Sequence, residues 1–212
     1  MSIGSDLLRF SDRPILLADM ETASLNLMMD NKPFECAWIT IDRYGNLLST
    51  HQYYLKWPNF RISADAARIT RFNPAWVENG HDPEFVLNAF ESYLLDPQYI
   101  IAGHALLSFD SRVHQLWRLA LGHKRDYSYL PRLIDTNLLS RAYKEGWKPD
   151  RSNLLAWQYK VMAGFRKGIK TNLTLMAKEL GVTVDESKMH SASVDLEVNA
   201  GVYRKLVNLV EI

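Results

Sequence analysis

The 212-residue sequence contains one cysteine, Cys36, so no disulfide can form within the chain and stability has to come from packing, as suits a reducing compartment. No apolar run approaches the ~18 residues that a membrane helix needs. The N-terminal stretch is interrupted by Asp6, Arg9, Asp12 and Arg13, which argues against a signal peptide. A cytoplasmic protein without a membrane partner is expected. Charge of either sign is not in excess: 25 Lys and Arg face 24 Asp and Glu, for a formal charge of +1. Any attraction for a charged partner must therefore be local. No Pro, Gly or Ser tract, repeat or low-complexity segment breaks the chain, and one domain over residues 1–212, with its core at about 14–209, is expected.

What is present can fill a core: 47% hydrophobic residues, 11% of the chain aromatic, against 23% charged. Ile15–Ala18 reads as a buried strand. Phe34–Ile41 and Leu47–Trp57, separated by "DRYGN", read as a hairpin beside it. "SADAARITRF" (63–72) and "DPEFVLNAFESYLL" (82–95) are helical in composition, the second opening on Asp82 and Pro83. "QYIIAG" is a short buried strand. Phe109–Leu121 is a helix ending at Gly122, "RLIDT" is a last strand feeding a helix through Ala142, and "TNLTLMAKELGV" and Ser193–Leu209 are further helices. This order predicts an α/β fold, a mixed sheet of about five strands, the first three antiparallel, flanked by helices.

Asp19 and Glu21 end the first strand. Side chains two apart share a face, so the two carboxylates project together and disfavour each other's ionised state. Asp110 opens a middle helix after Phe109. Asp195 lies in the first turn of the last helix, five residues after His190. At ~100° per residue the two would be roughly 140° apart on one helix, so His190 is placed on the preceding loop. Singly each acid is an ordinary cap; jointly they form a constellation. Carboxylates converging on one cleft suit hard divalent cations, which would remove the repulsion. Between Arg141 and Lys170, eight Lys or Arg stand against two acids, interleaved with Tyr143, Trp147, Trp157, Tyr159 and Phe165. Such a stretch can follow a phosphate backbone while its rings stack on bases, or be a solvated segment with its aromatics in the core.

"DMET" at 19–22, "GHALLSFD" ending at Asp110 and "HSASVD" from His190 to Asp195 resemble the three motifs of the DEDDh 3'-5' exonucleases, the group of bacterial proofreading subunits, exonuclease I, ribonuclease T and oligoribonuclease. "ITRFN", "IDTNLLSRA" and "NLTLMAKELGV" are lesser matches. The chain departs from the pattern at Ser24, where glycine is frequent, at Ala105, where asparagine is common, and in a longer connection over 145–170 that loosely resembles that of exonuclease I.

The resemblance implies a ribonuclease H-like fold and two Mg2+ (or Mn2+) ions. Asp19, Glu21 and Asp195 would hold the ion that positions water, and Asp19 with Asp110 the ion near the leaving 3'-oxygen. It implies His190 as the base that takes the water's proton, with Met20, Thr22, Leu25, His104 and Phe109 as contacts of the terminal nucleotide, Leu25 as a wedge against its base. The implied activity is removal of nucleoside 5'-monophosphates from the 3' end of nucleic acid, single-stranded DNA before RNA. An exoribonuclease of the same family, a ribonuclease H-like endonuclease and an inactive nucleic-acid-binding module of a polymerase or repair complex are the alternatives. A polymerase or repair partner and a homodimer are left open.

Overall fold

The computed structural model of the protein describes residues 13–27, 31–164, 166–185, 187, 189 and 191–212. Five strands, β1 (Ile15–Thr22), β2 (Pro33–Ile41), β3 (Leu47–Tyr54), β4 (Ile100–Gly103) and β5 (Leu133–Asp135), form one sheet in the order β3-β2-β1-β4-β5. β1 pairs antiparallel with β2, and β2 with β3, whereas β1–β4 and β4–β5 are parallel. The apolar run of β2 is buried from end to end because both faces of the sheet are covered. The outermost strand β3 alternates toward solvent. In the turn between them the Asp42 carboxylate accepts the Tyr44 and Asn46 amides, both at 2.8 Å, and Gly45 supplies the positive φ.

Eight α-helices are described: α1 (Ala64–Thr70), α2 (Pro74–Glu78), α3 (Pro83–Leu94), α4 (Asp110–Ala120), α5 (Thr136–Glu145), α6 (Leu154–Ala163), α7 (Leu173–Glu179) and α8 (Ala192–Val210). Asp82 caps α3 through the Glu84 and Phe85 amides. Trp38 of β2 packs on Phe90 and Tyr93 of α3, so even-numbered positions of β2 face that layer. α8 lies against β1 and β2 on the other face and packs on α5 and α7. Most of the buried apolar residues form one continuous cluster through the sheet and both layers. Among the described residues no helix is long and apolar enough to cross a membrane.

Two helices, α2 and α6, fall where no element was expected. Asn73 and Asn153 cap them with side chains that accept the Ala75 and Ala156 amides. β3 also stops at Tyr54, short of the expected Trp57. There the chain turns to Gly80 and His81, with His81 N–H donating to Tyr54 O at 2.7 Å and Lys56 N–H to His81 O at 2.8 Å. Within 141–170, Trp157 is buried in α6 while Tyr143 and Tyr159 are exposed, so the aromatics divide between core and surface. Phe165 lies outside the described residues.

Candidate active site

The carboxyl ends of β1, β4 and β5 point the same way, and β1 is where the chain leaves to opposite sides of the sheet. The crevice beyond such a switch point is the usual ligand site of open α/β sheets. β1 and β4 stay paired only over Ile15–Leu17, so the end of β1 separates from its neighbour. Asp110, at the start of α4, fills the gap: its Oδ1 accepts the Met20 amide at 3.2 Å. α8 brings Asp195 over the same end of the sheet. Asp19, Glu21 and Asp195 each offer a carboxylate oxygen within 4.8 Å of one another.

The electrostatics are those of a cluster awaiting a counter-charge. Burial, then Asp110, Glu21, Asp195 and Glu35, raise the Asp19 pKa well above the usual carboxylate range. Burial and the charges of Asp195, Glu35 and Asp110 push Glu21 up to about 8. Asp110 is pushed to about 7, chiefly by burial. Among the described residues no ion pair engages Asp19, Glu21 or Asp110. An all-oxygen, all-anionic donor set fits Mg2+, Mn2+ or another hard divalent cation, and these residues are the ones that would hold it.

His190, the expected base, lies outside the described residues. Met20 and Thr22 are buried; the Thr22 hydroxyl donates to Ser24 O at 2.7 Å. Leu25, in contrast, is 84% exposed on the loop after β1, where a side chain is free to meet a ligand. Phe109 precedes α4 and is half-buried against the core. Both nitrogens of His104 are engaged, Nδ1 with Thr136 Oγ1 and Nε2 with Asn137 Nδ2, each at 3.1 Å. Burial takes its pKa down to about 4. A neutral ring that ties the end of β4 to α5 is the role these contacts describe.

Two further acids at the site escaped the sequence reading. Glu35, 2% exposed in β2, is in register with Glu21 and therefore shares its face; burial pushes it to about 7. Asp135 ends β5, caps α5 through the Asn137 and Leu138 amides, and accepts the Ala105 and Leu107 amides at 3.1 and 2.9 Å. It thereby holds the connection that delivers Asp110. Glu35 was legible as a lone acid in an apolar strand, and Asp135 as an acid at a strand end like Asp19.

The chain superposes on E. coli exonuclease I in complex with a dA16 oligonucleotide with a TM-score of 0.70, over 94% of this chain and 42% of that one, at 18% identity. It has the exonuclease I fold. The zinc-bound E. coli exonuclease I–ssDNA complex gives a TM-score of 0.70 at 19% identity, over 94% and 42% of the two chains. Cell-death related nuclease 4 gives 0.66 at 12% identity, over 92% and 64%. The chain spans about two fifths of the exonuclease I chains it matches. The sheet order and flanking helices are those expected of a ribonuclease H-like fold. No family model and no curated protein sequence matches.

Proposed function

We propose that the protein is a divalent-metal-dependent 3'-5' exonuclease that releases nucleoside 5'-monophosphates from single-stranded nucleic acid, DNA before RNA. The observation that carries this reading is the convergence of Asp19, Glu21 and Asp195 within 4.8 Å at the open end of the sheet, with Asp110 beside them. The oligonucleotides bound by the exonuclease I neighbours favour single-stranded DNA.

Asp19, Glu21, Asp195 and Asp110 are assigned to hold Mg2+ or Mn2+. When bound, such cations offset charge on a phosphodiester and lower the pKa of water. The chain's own groups do the rest. Asp110 is fixed by the Met20 amide and by the Asp135-held loop, so its position is set before substrate arrives. His190 is assigned to take the proton of the attacking water, histidine being the side chain most often used as a general base near neutral pH. Leu25, projecting into solvent beside β1, meets the terminal base. As the water oxygen bonds to phosphorus the bond from phosphorus to the 3'-oxygen breaks, the shortened strand keeps that oxygen and takes up a proton from solvent, and the phosphate stays on the released nucleotide.

The test is incubation of 5'-labelled DNA and RNA oligomers with the protein in Mg2+ or EDTA. A descending ladder that needs the cation and yields mononucleotides is expected. Internal fragments alone would assign an endonuclease of this fold, and intact oligomers with retained binding an inactive module.

A further inference from the structure

Asn199 is a polar side chain in the interior of α8, 2% exposed, and its neighbours Val198 and Ala200 are buried as well. A buried side-chain amide needs a partner, and this one finds it on the adjacent helix. Thr136, the first residue of α5 and itself buried, donates from Oγ1 to Asn199 Oδ1 at 2.7 Å. A hydroxyl carries one proton, so Gly103 O, 3.2 Å from the same oxygen, is its alternative acceptor.

Thr136 is also where His104 is held. The neutral ring donates from Nδ1 to Thr136 Oγ1, and its Nε2 accepts from Asn137 Nδ2, each at 3.1 Å. His104 leads into the connection whose Ala105 and Leu107 amides are bound by Asp135 and which ends at Asp110. One corner of the fold, the end of β4 and the start of α5, therefore carries hydrogen bonds to the segment that delivers Asp110 and to the helix that delivers Asp195. Asn199 lies four residues after Asp195, one turn on and on the same side of α8. The apolar packing of α8 on α5 is non-directional, whereas a short buried hydrogen bond tolerates only a narrow range of distance and angle.

We infer that Asn199 is a positioning residue: its hydrogen bond with Thr136 fixes α8 to the β4–α5 corner at the turn next to Asp195, and so sets where the Asp195 carboxylate stands relative to Asp19, Glu21 and Asp110. Its consequence at the cation rests on the nuclease reading; the fixing of the helix rests on the hydrogen bond alone. Asn199→Leu keeps the volume and loses the acceptor, and the Thr136 hydroxyl can then turn to Gly103 O. Thr136→Val keeps the shape and loses the hydroxyl, whereas Thr136→Ser keeps it.

Two readouts test it on the full chain. In EDTA, amide hydrogen exchange at 195–199, measured relative to the amides of β1, should accelerate roughly 10-fold in Asn199→Leu and Thr136→Val and less than about 3-fold in Thr136→Ser. Mn2+ titration should give about 10-fold weaker binding in Asn199→Leu and in Thr136→Val, and near wild-type binding in Thr136→Ser. The double variant Asn199→Leu/Thr136→Val should bind Mn2+ no more weakly than Thr136→Val alone, because both changes remove the same bond. Wild-type Mn2+ affinity in Asn199→Leu, or losses that multiply to about 100-fold in the double variant, would overturn the positioning role. Unchanged relative exchange at 195–199 in Asn199→Leu would overturn it as well. If Asn199→Leu does not fold, Thr136→Val against Thr136→Ser decides by the same two readouts. If the wild-type protein binds no Mn2+ at all, the nuclease reading fails, and the exchange data still decide whether Asn199 fixes the helix.

Discussion

Removing one charge from the acid cluster should stabilise the metal-free protein while abolishing its response to metal. Asp195 acts on Asp19, Glu21 and Glu35 alike, raising the pKa of each, so Asp195→Asn is the most informative change. Two ionised carboxylates within 4.8 Å of each other at an effective dielectric of ~20 repel by at least about 3.5 kcal/mol. The rise of Glu21 from 4.5 to about 8, at ~1.4 kcal/mol per pH unit, corresponds to about 5 kcal/mol, of which burial is the largest part and survives the substitution. Partial protonation and solvent screening reduce the remainder to ~1–2 kcal/mol. For a chain of this length that is a rise in Tm of roughly 2–8 °C. The sign with pH follows from proton binding. These acids hold protons more tightly folded than unfolded, so stability is greatest below their ordinary pKa of about 4 and falls as pH rises through the folded values near 7 and 8. Thermal unfolding in EDTA should therefore show wild-type and variant alike at pH 4 and the variant ahead at pH 8.5. Added Mn2+ at about 100 times its Kd should return ~2.7 kcal/mol to the wild-type protein and far less to the variant. A variant no more stable than wild-type at pH 8.5, or equally responsive to Mn2+, would refute the repulsive-cluster account.

Asp19→Ala and Asp110→Ala should each remove hydrolysis together with Mn2+ binding, whereas His190→Ala should leave a remnant ~10²- to 10⁴-fold below wild-type; single-turnover assays on a labelled oligomer distinguish the two. Ala105 has φ 62°, a left-handed conformation unfavourable for alanine, and Ala105→Asn should raise stability by ~0.5–1 kcal/mol, read by urea unfolding. Arg166, Lys167 and Lys170 are exposed on the segment that leads to Thr171, whose carbonyl accepts from Asn137 at 3.2 Å beside His104. Replacing all three with glutamine should weaken oligonucleotide binding at low salt and flatten its salt dependence; unchanged affinity would remove this segment from the binding surface.

The strands and longer helices were legible because their signals are local: apolar runs for β1 and β4, Asp82-Pro83 for α3, Gly181 for the end of α7. α6 was obscured by its own composition, since Trp157 and Val161 are buried while Tyr159 and Lys160 between them face solvent, and the many basic residues around it suggested a surface stretch. The shared location of Asp19, Glu21, Asp110 and Asp195 was legible because Asp110 and Asp195 open helices and Asp19 and Glu21 follow an apolar run, although β1 continues through both of them to Thr22 instead of ending at Ala18. Glu35 and Asp135 were not singled out because their surroundings depend on residues brought in from other elements: Glu21 and Gln52 for Glu35, and Ala105 and Leu107 for Asp135. His104 shows the reverse case. The family resemblance implied a nucleotide contact there, and only the tertiary positions of Thr136 and Asn137 show where its ring nitrogens are engaged.

The placement of the acids also explains how the chain tolerates them. On β1 the face toward α3 and α4 continues as Ala18 and Met20 while the face toward α8 changes from Leu17 to Asp19 and Glu21. Opposite Asp19 stands Ala37, small enough to leave room, and opposite Glu21 stands Glu35, whose Oε1 accepts from Gln52 Nε2 at 2.7 Å. A register shift between Glu21 and Thr22 ends the regular pairing at this point, as bulges beside active sites commonly do. The repulsion is thus confined to one end of one face, above a core that fills both layers. Moving the pair Asp19 and Glu21 one residue toward the N-terminus would send both carboxylates to the Trp38 face, where Phe90 and Tyr93 pack and no cation could reach them. That one-residue dependence makes register, more than the identity of any single acid, the structural condition for the site.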